Sequence, residues 1–110
     1  MEEAEQIALN EALRALWVKF LSQMEERLAV LDAANQALAE GKLSEDLRAE
    51  ANAAAHKLAG VLGTFGLTKG TVLAREAEVI YEGDIETDPH AVEHLQGIAR
   101  QLRALVESHK

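Results

Sequence analysis

The sequence predicts an all-α protein, an antiparallel up-down four-helix bundle with a long first helix. Alanine, leucine and glutamate supply much of the chain and aromatic residues only 4 %, a mixture that favours helix over sheet. One proline in 110 residues leaves long helices uninterrupted. Apolar residues recur every three or four positions in four separate segments, as amphipathic helices require. The length fits one domain, residues 1–110, with one core.

The first predicted helix is the longest. We expect the residues before about Ala12 to be a frayed start or a short cap. Gly41 is predicted to end the helix, because glycine accepts the left-handed conformation found after a last turn. The apolar stripe of this helix consists of Leu13, Trp17, Phe20, Met24, Leu28, Leu31 and Leu38.

The second predicted helix starts after Ser44, a residue type that caps helix N-termini with its side-chain oxygen. Glu45 and Asp46 follow in the first turn, where negative charge is favourable. The helix is expected to run to about Thr64 and to be interrupted by Gly66.

The third and fourth helices are bounded by similar signals. Thr68 is predicted to cap the third helix and Gly83 to end it. Asp88 and Pro89 predict the start of the fourth, as a capping side chain followed by proline at the first helical position. The apolar positions are Val72, Leu73, Ala77 and Ile80 in the third helix, and Val92, Leu95, Ala99, Leu102 and Val106 in the fourth. Short connections predict antiparallel neighbours.

Charge and composition argue against several classes of function. A formal net charge of −8 without a basic stripe disfavours nucleic-acid binding. The absence of cysteine leaves no disulfide framework and no thiolate metal site. The acidic start differs from a signal peptide, and the longest apolar run is too short to insert in a membrane. We therefore expect a cytoplasmic protein and favour a monomer, although the long acidic first helix leaves dimerisation open.

His56 is the most informative residue of the second helix. At about 100° per residue it lies about 200° from Leu58 and points away from the apolar face, toward solvent. That apolar face consists of Leu47, Ala51, Ala54, Leu58, Val61, Leu62 and Phe65. The neighbours predicted around His56 are short side chains, namely Asn52, Ala53, Ala59, Gly60 and Gly63.

Gly60 is unfavourable for the helix itself, because glycine inside a helix lowers its stability by about 1 kcal/mol relative to alanine. The cost is understandable if another protein's backbone must approach the imidazole closely. Two plainer interpretations stay open at this point. His56 can be an ordinary surface histidine, and Gly60 and Gly63 can serve close packing between helices of the same molecule.

The second helix also carries the stretch AHKLAGVLGTFGL over residues 55–67. This stretch resembles the signature of histidine phosphotransfer (HPt) domains of two-component phosphorelays. In that signature an accepting histidine is followed by an aliphatic residue two positions on and by small or glycine positions at four, seven and ten. The matching residues are His56, Leu58, Gly60, Gly63 and Gly66. The helical pattern extends the resemblance across nearly the whole chain.

The resemblance implies a phosphoprotein of signal transduction that accepts and donates a phosphoryl group on Nε2 of His56. The implied partner is the receiver domain of a response regulator or hybrid histidine kinase. That partner brings the aspartyl phosphate and the Mg²⁺ ion, so no cofactor is expected in this chain. An imidazole with an ordinary pKa of about 6.5 is a competent nucleophile near neutral pH. Because the chain has no nucleotide-binding loop, we expect a phosphoryl carrier without ATP-dependent kinase activity.

One position departs from the family pattern. Many members carry lysine three residues after the histidine, where its charge is thought to assist the phosphoryl group, and here that residue is Ala59. Lys57, beside the histidine, and Lys69, at the start of the third helix, are the candidate substitutes. Both are also compatible with ordinary solvated lysines.

Three other interpretations come from the sequence. The bundle can be a degenerate HPt domain that docks to partners without transferring phosphate. His90 and His94 have the four-residue spacing that can place two imidazoles on one metal ion, but no third ligand is evident, so no metal site is predicted. Trp17 and Phe20 can form an aromatic pair for a partner, although core packing is the simpler account.

Overall fold

A computed structural model describes residues 2–109 and confirms the all-α four-helix bundle. The elements are α1 (Glu2–Ala39), α2 (Glu45–Thr64), α3 (Thr68–Glu82), a short 3₁₀ helix (Ile85–Thr87) and α4 (Ala91–His109). α2 and α4 each pack against both α1 and α3, so the four helices close around one core. None of the helices within residues 2–109 is long and apolar enough to cross a membrane.

α1 is longer than the bundle that it helps to form. It has 38 residues and is helical from Glu2, so the expected frayed start or cap before about Ala12 is wrong. Every residue from 2 to 15 is exposed, including Leu13, which the sequence placed in the core stripe. The buried part of α1 begins at Trp17. We call residues 2–15 the overhang; it contributes to the elongated shape of 57 × 20 × 19 Å.

The predicted ends of α1 and α2 are confirmed. Gly41 and Gly66 both have left-handed backbone conformations, with φ of 69° and 73°. Their lack of a Cβ atom makes these conformations accessible without steric strain. At the start of α2, the Ser44 hydroxyl accepts the backbone N–H of Leu47 at 3.1 Å.

The predicted starts of α3 and α4 need correction. Thr68 is the first residue of α3, and its side chain does not cap the helix. α4 begins at Ala91, two residues after Pro89. The reason is that the Asp88 carboxylate accepts the N–H of His90 at 2.9 Å, which closes a local turn before the helix starts.

The buried stripe of α3 also differs from the predicted one. Val72 is 58 % exposed, whereas Ala74, Ala77 and Tyr81 are buried. The three- and four-residue spacings of these buried positions follow one helical face. α3 is therefore rotated, about its axis, relative to the orientation that its larger aliphatic residues suggested.

Tyr81 takes part in a buried polar contact between three helices. Its hydroxyl donates to Oδ1 of Asn35 at 2.5 Å, and Nδ2 of Asn35 donates to the carbonyl of Leu95 at 3.3 Å. Burial raises the pKa of the Tyr81 phenol well above its ordinary value, and the negative charge of Asp32 raises it further. The bonds tie α1 to α3 and α4 and satisfy polar groups that would otherwise be costly to bury.

Candidate functional site

His56 lies on the outer surface of α2, as its position on the helix predicted. Its side chain is 75 % exposed, and Nδ1 lies 2.6 Å from Oε2 of Glu78 on α3. A carboxylate accepts hydrogen bonds, so this contact places the imidazole proton on Nδ1. With the proton on Nδ1, the lone pair lies on Nε2, in a side chain that is 75 % exposed.

Glu78 is held in place beside His56 by the packing of α3 on α2. Its side chain is only 19 % exposed, and its backbone carbonyl accepts the amide of Asn52 at 3.0 Å. The same amide lies 3.2 Å from Oε1 of Glu82. Asn52 was predicted as a neighbour on the open patch around His56. It is instead half-buried and bonded to α3, so it supports the residue that orients the imidazole.

Ala59 is the clearest correction to the predicted patch. It is 4 % exposed and belongs to the core, not to the outer surface. The Thr71 hydroxyl on α3 donates to the Ala59 carbonyl at 3.0 Å. α3 lies close to α2 here and covers more of its surface than the aliphatic stripe alone suggested.

Gly60 and Gly63 have different surroundings. A Cβ atom at Gly63 would lie 3.3 Å from Oγ1 of Thr71, so Gly63 permits the close approach of α3. This agrees with the packing interpretation that the sequence left open. A Cβ atom at Gly60 would meet nothing within 4 Å. The open surface next to His56 therefore includes Gly60 and the exposed Ala53, and is smaller than predicted.

A shallow groove of about 610 Å³ runs between α1 and α2 on the other side of His56. Its two cations are Lys57, which the sequence suggested, and Arg27, which it did not. Arg27 is on α1, so no local signal in the stretch around His56 points to it. The residues that line the groove are Phe20, Arg27, His56, Lys57, Gly60, Val61, Thr64 and Phe65.

Lys69 lies away from the imidazole. Glu78 is the α3 residue bonded to His56, and Lys69 precedes it by about 13 Å of helix at about 1.5 Å per residue. Lys69 does not line the groove either. The structure thus separates the two lysines that the sequence proposed for the phosphoryl group and leaves Lys57 beside His56.

His94, His109 and Trp17 have structural contacts. Nε2 of His94 lies 2.5 Å from Oε1 of Glu76. Within residues 2–109, no three histidine, cysteine, aspartate or glutamate side chains are grouped as a metal site. Trp17 is 3 % exposed and packs edge-on against Phe65 and His109, as expected for a core residue.

Comparison with known families gives one result. A family model described as "Hpt domain" matches residues 15–107, which is most of the chain. The chain belongs to the Hpt domain family. Membership supports a role in histidine phosphotransfer within phosphorelays, where Hpt domains interact with receiver domains. No curated protein and no solved structure was found to match the chain. Nearly all of the overhang lies outside the part that matches the Hpt family.

Proposed function

We propose that this Hpt domain carries a phosphoryl group on Nε2 of His56, in exchange with aspartates of cytoplasmic receiver domains. The observation that supports the proposal best is the contact between His56 Nδ1 and Glu78. It keeps the proton on Nδ1 of an exposed ring, so that the nucleophilic lone pair lies on Nε2, where a partner can reach it.

The transfer would be a single displacement at phosphorus. The Nε2 lone pair forms a bond to phosphorus as the bond between phosphorus and the receiver's aspartyl oxygen breaks. The aspartate leaves as a carboxylate, and the imidazole becomes a cation whose Nδ1–H donates to Glu78. The carboxylate thus stabilises charge that develops during the reaction, the kind of interaction that lowers a barrier. Return of the phosphoryl group reverses the same steps.

The negative charge on the phosphoryl oxygens also requires stabilisation by positively charged side chains. Lys57 and Arg27 supply positive charge on the groove side of His56, opposite to the acidic α3 side with Glu78 and Glu82. Phosphoryl transfer depends mostly on positioning and on electrostatic stabilisation. We therefore assign the phosphoryl oxygens to the groove side, and the Mg²⁺ ion to the receiver.

The surface around His56 suits docking of a receiver. Ala53 and Gly60 place no bulky side chain beside the imidazole, so a partner's active site can surround it. Phe20, Val61 and Phe65 give the adjacent groove an apolar floor. Apolar centres with charged rims are typical of protein interfaces.

Phosphate uptake from phosphorylated receivers tests the proposal. Residues 1–110 would be mixed with radiolabelled, phosphorylated receiver domains from the same organism, and transfer would be followed over time. The proposal predicts rapid, acid-labile labelling from at least one receiver and no labelling from ATP alone. Binding of receivers without any labelling would contradict it and would support a bundle that only docks.

A further inference from the structure

We infer that a second groove, between α1 and α4, binds a small hydroxylated monocarboxylate, a molecule of the sugar-acid type. This polar groove lies between residues 32–36 of α1 and residues 96–103 of α4 and has a volume of about 400 Å³. That size is within the range of small-molecule sites. His56 is on α2 and does not line the polar groove. The inference therefore goes beyond the proposed function and does not depend on it.

The polar groove differs from the groove beside His56 in the character of its lining. Every lining residue except Ala99 carries a polar or charged side chain. The groove beside His56 is instead lined partly by Phe20, Val61 and Phe65. Ala99 is 6 % exposed, and its short side chain leaves space between the polar groups. A lining of this kind offers hydrogen bonds to a small ligand rather than an apolar surface to a protein partner.

One arginine of the polar groove has a carboxylate partner and the other has none. The guanidinium of Arg103 on α4 binds the carboxylate of Asp32 on α1. Because the two helices run antiparallel, the residues one turn along are Arg100 and the uncharged Gln36. Within residues 2–109, the Arg100 guanidinium has no hydrogen-bond or ion-pair partner. A guanidinium binds carboxylates through paired hydrogen bonds, so a ligand carboxylate would give Arg100 the partner that Asp32 gives Arg103.

The charges of the polar groove favour a ligand with a single negative charge. Arg100 and Arg103 contribute two positive charges and Asp32 one negative charge, so one positive charge is left over. The next carboxylate of α1, Glu40, accepts Nε2 of Gln36 at 2.9 Å and does not line the polar groove. One ligand carboxylate neutralises the remaining charge. A phosphate dianion would instead leave excess negative charge in a chain whose formal net charge is already −8.

The amides of the polar groove favour hydroxyl groups on the ligand. Asn35 is 4 % exposed; its Oδ1 accepts the Tyr81 hydroxyl, and one N–H of Nδ2 donates to the carbonyl of Leu95. Since Asn35 also lines the polar groove, its second N–H can donate to a ligand oxygen. The Gln96 amide, in the same lining, offers both donors and an acceptor. Hydroxyl groups donate and accept hydrogen bonds, so they match these amides.

NMR titration of the isotope-labelled chain tests the site. The probes are gluconate and glucuronate, and the controls are glucose, which lacks the carboxylate, and acetate, which lacks the hydroxyl groups. Both sugar acids should shift the side-chain amide signals of Asn35 and Gln96 in a saturable way. The dissociation constant should be roughly 1 mM, from the usual binding energy per ligand atom. Glucose should cause no shift, and acetate should bind at least about fivefold more weakly.

Two results of this titration would overturn the inference. One is the absence of saturable shifts with both sugar acids. The other is binding of acetate or inorganic phosphate as tight as that of gluconate, which would show a site for any anion.

Substitutions in the polar groove test the role of Arg100. Arg100→Gln should weaken gluconate binding at least about tenfold, because it removes charged hydrogen bonds. Arg75→Gln is the matched control, since Arg75 is an exposed arginine of α3 outside the polar groove. Gln36→Glu should also abolish binding, because the new carboxylate would pair with Arg100 as Asp32 pairs with Arg103. Equal binding by Arg100→Gln and Arg75→Gln would contradict the site.

The same titration separates this site from the phosphotransfer function. His56→Gln lacks the proposed phosphoryl acceptor but keeps every residue of the polar groove. It should bind gluconate as tightly as the unmodified chain. Loss of gluconate binding in His56→Gln would contradict the independence of the two sites.

Discussion

Replacement of Glu78 by alanine is expected to slow phosphoryl transfer to His56. The carboxylate lies 2.6 Å from Nδ1 and is the group that orients the ring. During transfer the ring gains positive charge, so the contact is stronger in the transition state than in the resting protein. Its loss should therefore lower the rate rather than only weaken docking.

The size of the effect follows from the exposure of the pair. A hydrogen bond to a charged group contributes about 1.5–3 kcal/mol. The His56 side chain is 75 % exposed, so solvent screening reduces this to about 1–2 kcal/mol. Because about 1.4 kcal/mol corresponds to a tenfold change, the rate should fall about 5- to 30-fold.

The assay is the initial rate of label transfer from a phosphorylated receiver. Glu76→Ala is the matched control, since Glu76 is on the same helix and also contacts a histidine, through Nε2 of His94. NMR of the two imidazole nitrogens should also show that His56 loses its preference for a proton on Nδ1 in Glu78→Ala only. Equal rates for Glu78→Ala and Glu76→Ala would refute this reasoning.

Three further predictions concern the docking surface and the fold. Gly60→Glu should leave the bundle folded but slow transfer about tenfold, which corresponds to a loss of about 1.4 kcal/mol in docking. Gly97→Glu on α4 is the control. Equal rates in both variants would contradict the idea that a receiver needs open space next to His56. Gly70→Ala should lower the free energy of unfolding in urea by up to about 2 kcal/mol, because the new Cβ atom would lie 2.9 Å from Cδ1 of the buried Leu62. The overpacking costs about 1–3 kcal/mol, and alanine inside the helix returns about 1 kcal/mol. A higher free energy of unfolding would show that Leu62 moves aside. Burial raises the pKa of Tyr81 in the folded state. The protonated phenol therefore stabilises the fold fully below the unfolded pKa of about 10, and this stability is lost as the pH rises further. Tyr81→Phe should lack this loss at alkaline pH, which urea unfolding at several pH values would measure.

Features that depend on residues within one or two helical turns could be predicted from the sequence. The outward direction of His56 followed from its angle to Leu58, and the Ser44 cap and the Gly41 end followed from the backbone preferences of those residue types. The family signature was predictable for the same reason, because it occupies one continuous stretch of α2.

Features that depend on contacts between helices could not be predicted. Glu78 is separated from His56 by the end of α2, a turn and most of α3, and its position depends on the rotation of α3 about its axis. That rotation also buries Ala59, whose small side chain permits α3 to approach closely. Arg27 reaches the site only because α1 packs alongside α2, a pairing that no local pattern encodes.

We propose that His56 is the residue that carries the phosphoryl group. The most direct measurement is the uptake of label from a phosphorylated receiver by His56→Gln, compared with His94→Gln. His94 is a fair control because it is also exposed and also contacts a glutamate of α3. We expect that His56→Gln takes up no acid-labile phosphate while His94→Gln takes up as much as the unmodified chain. Retention of the label by His56→Gln would contradict the assignment.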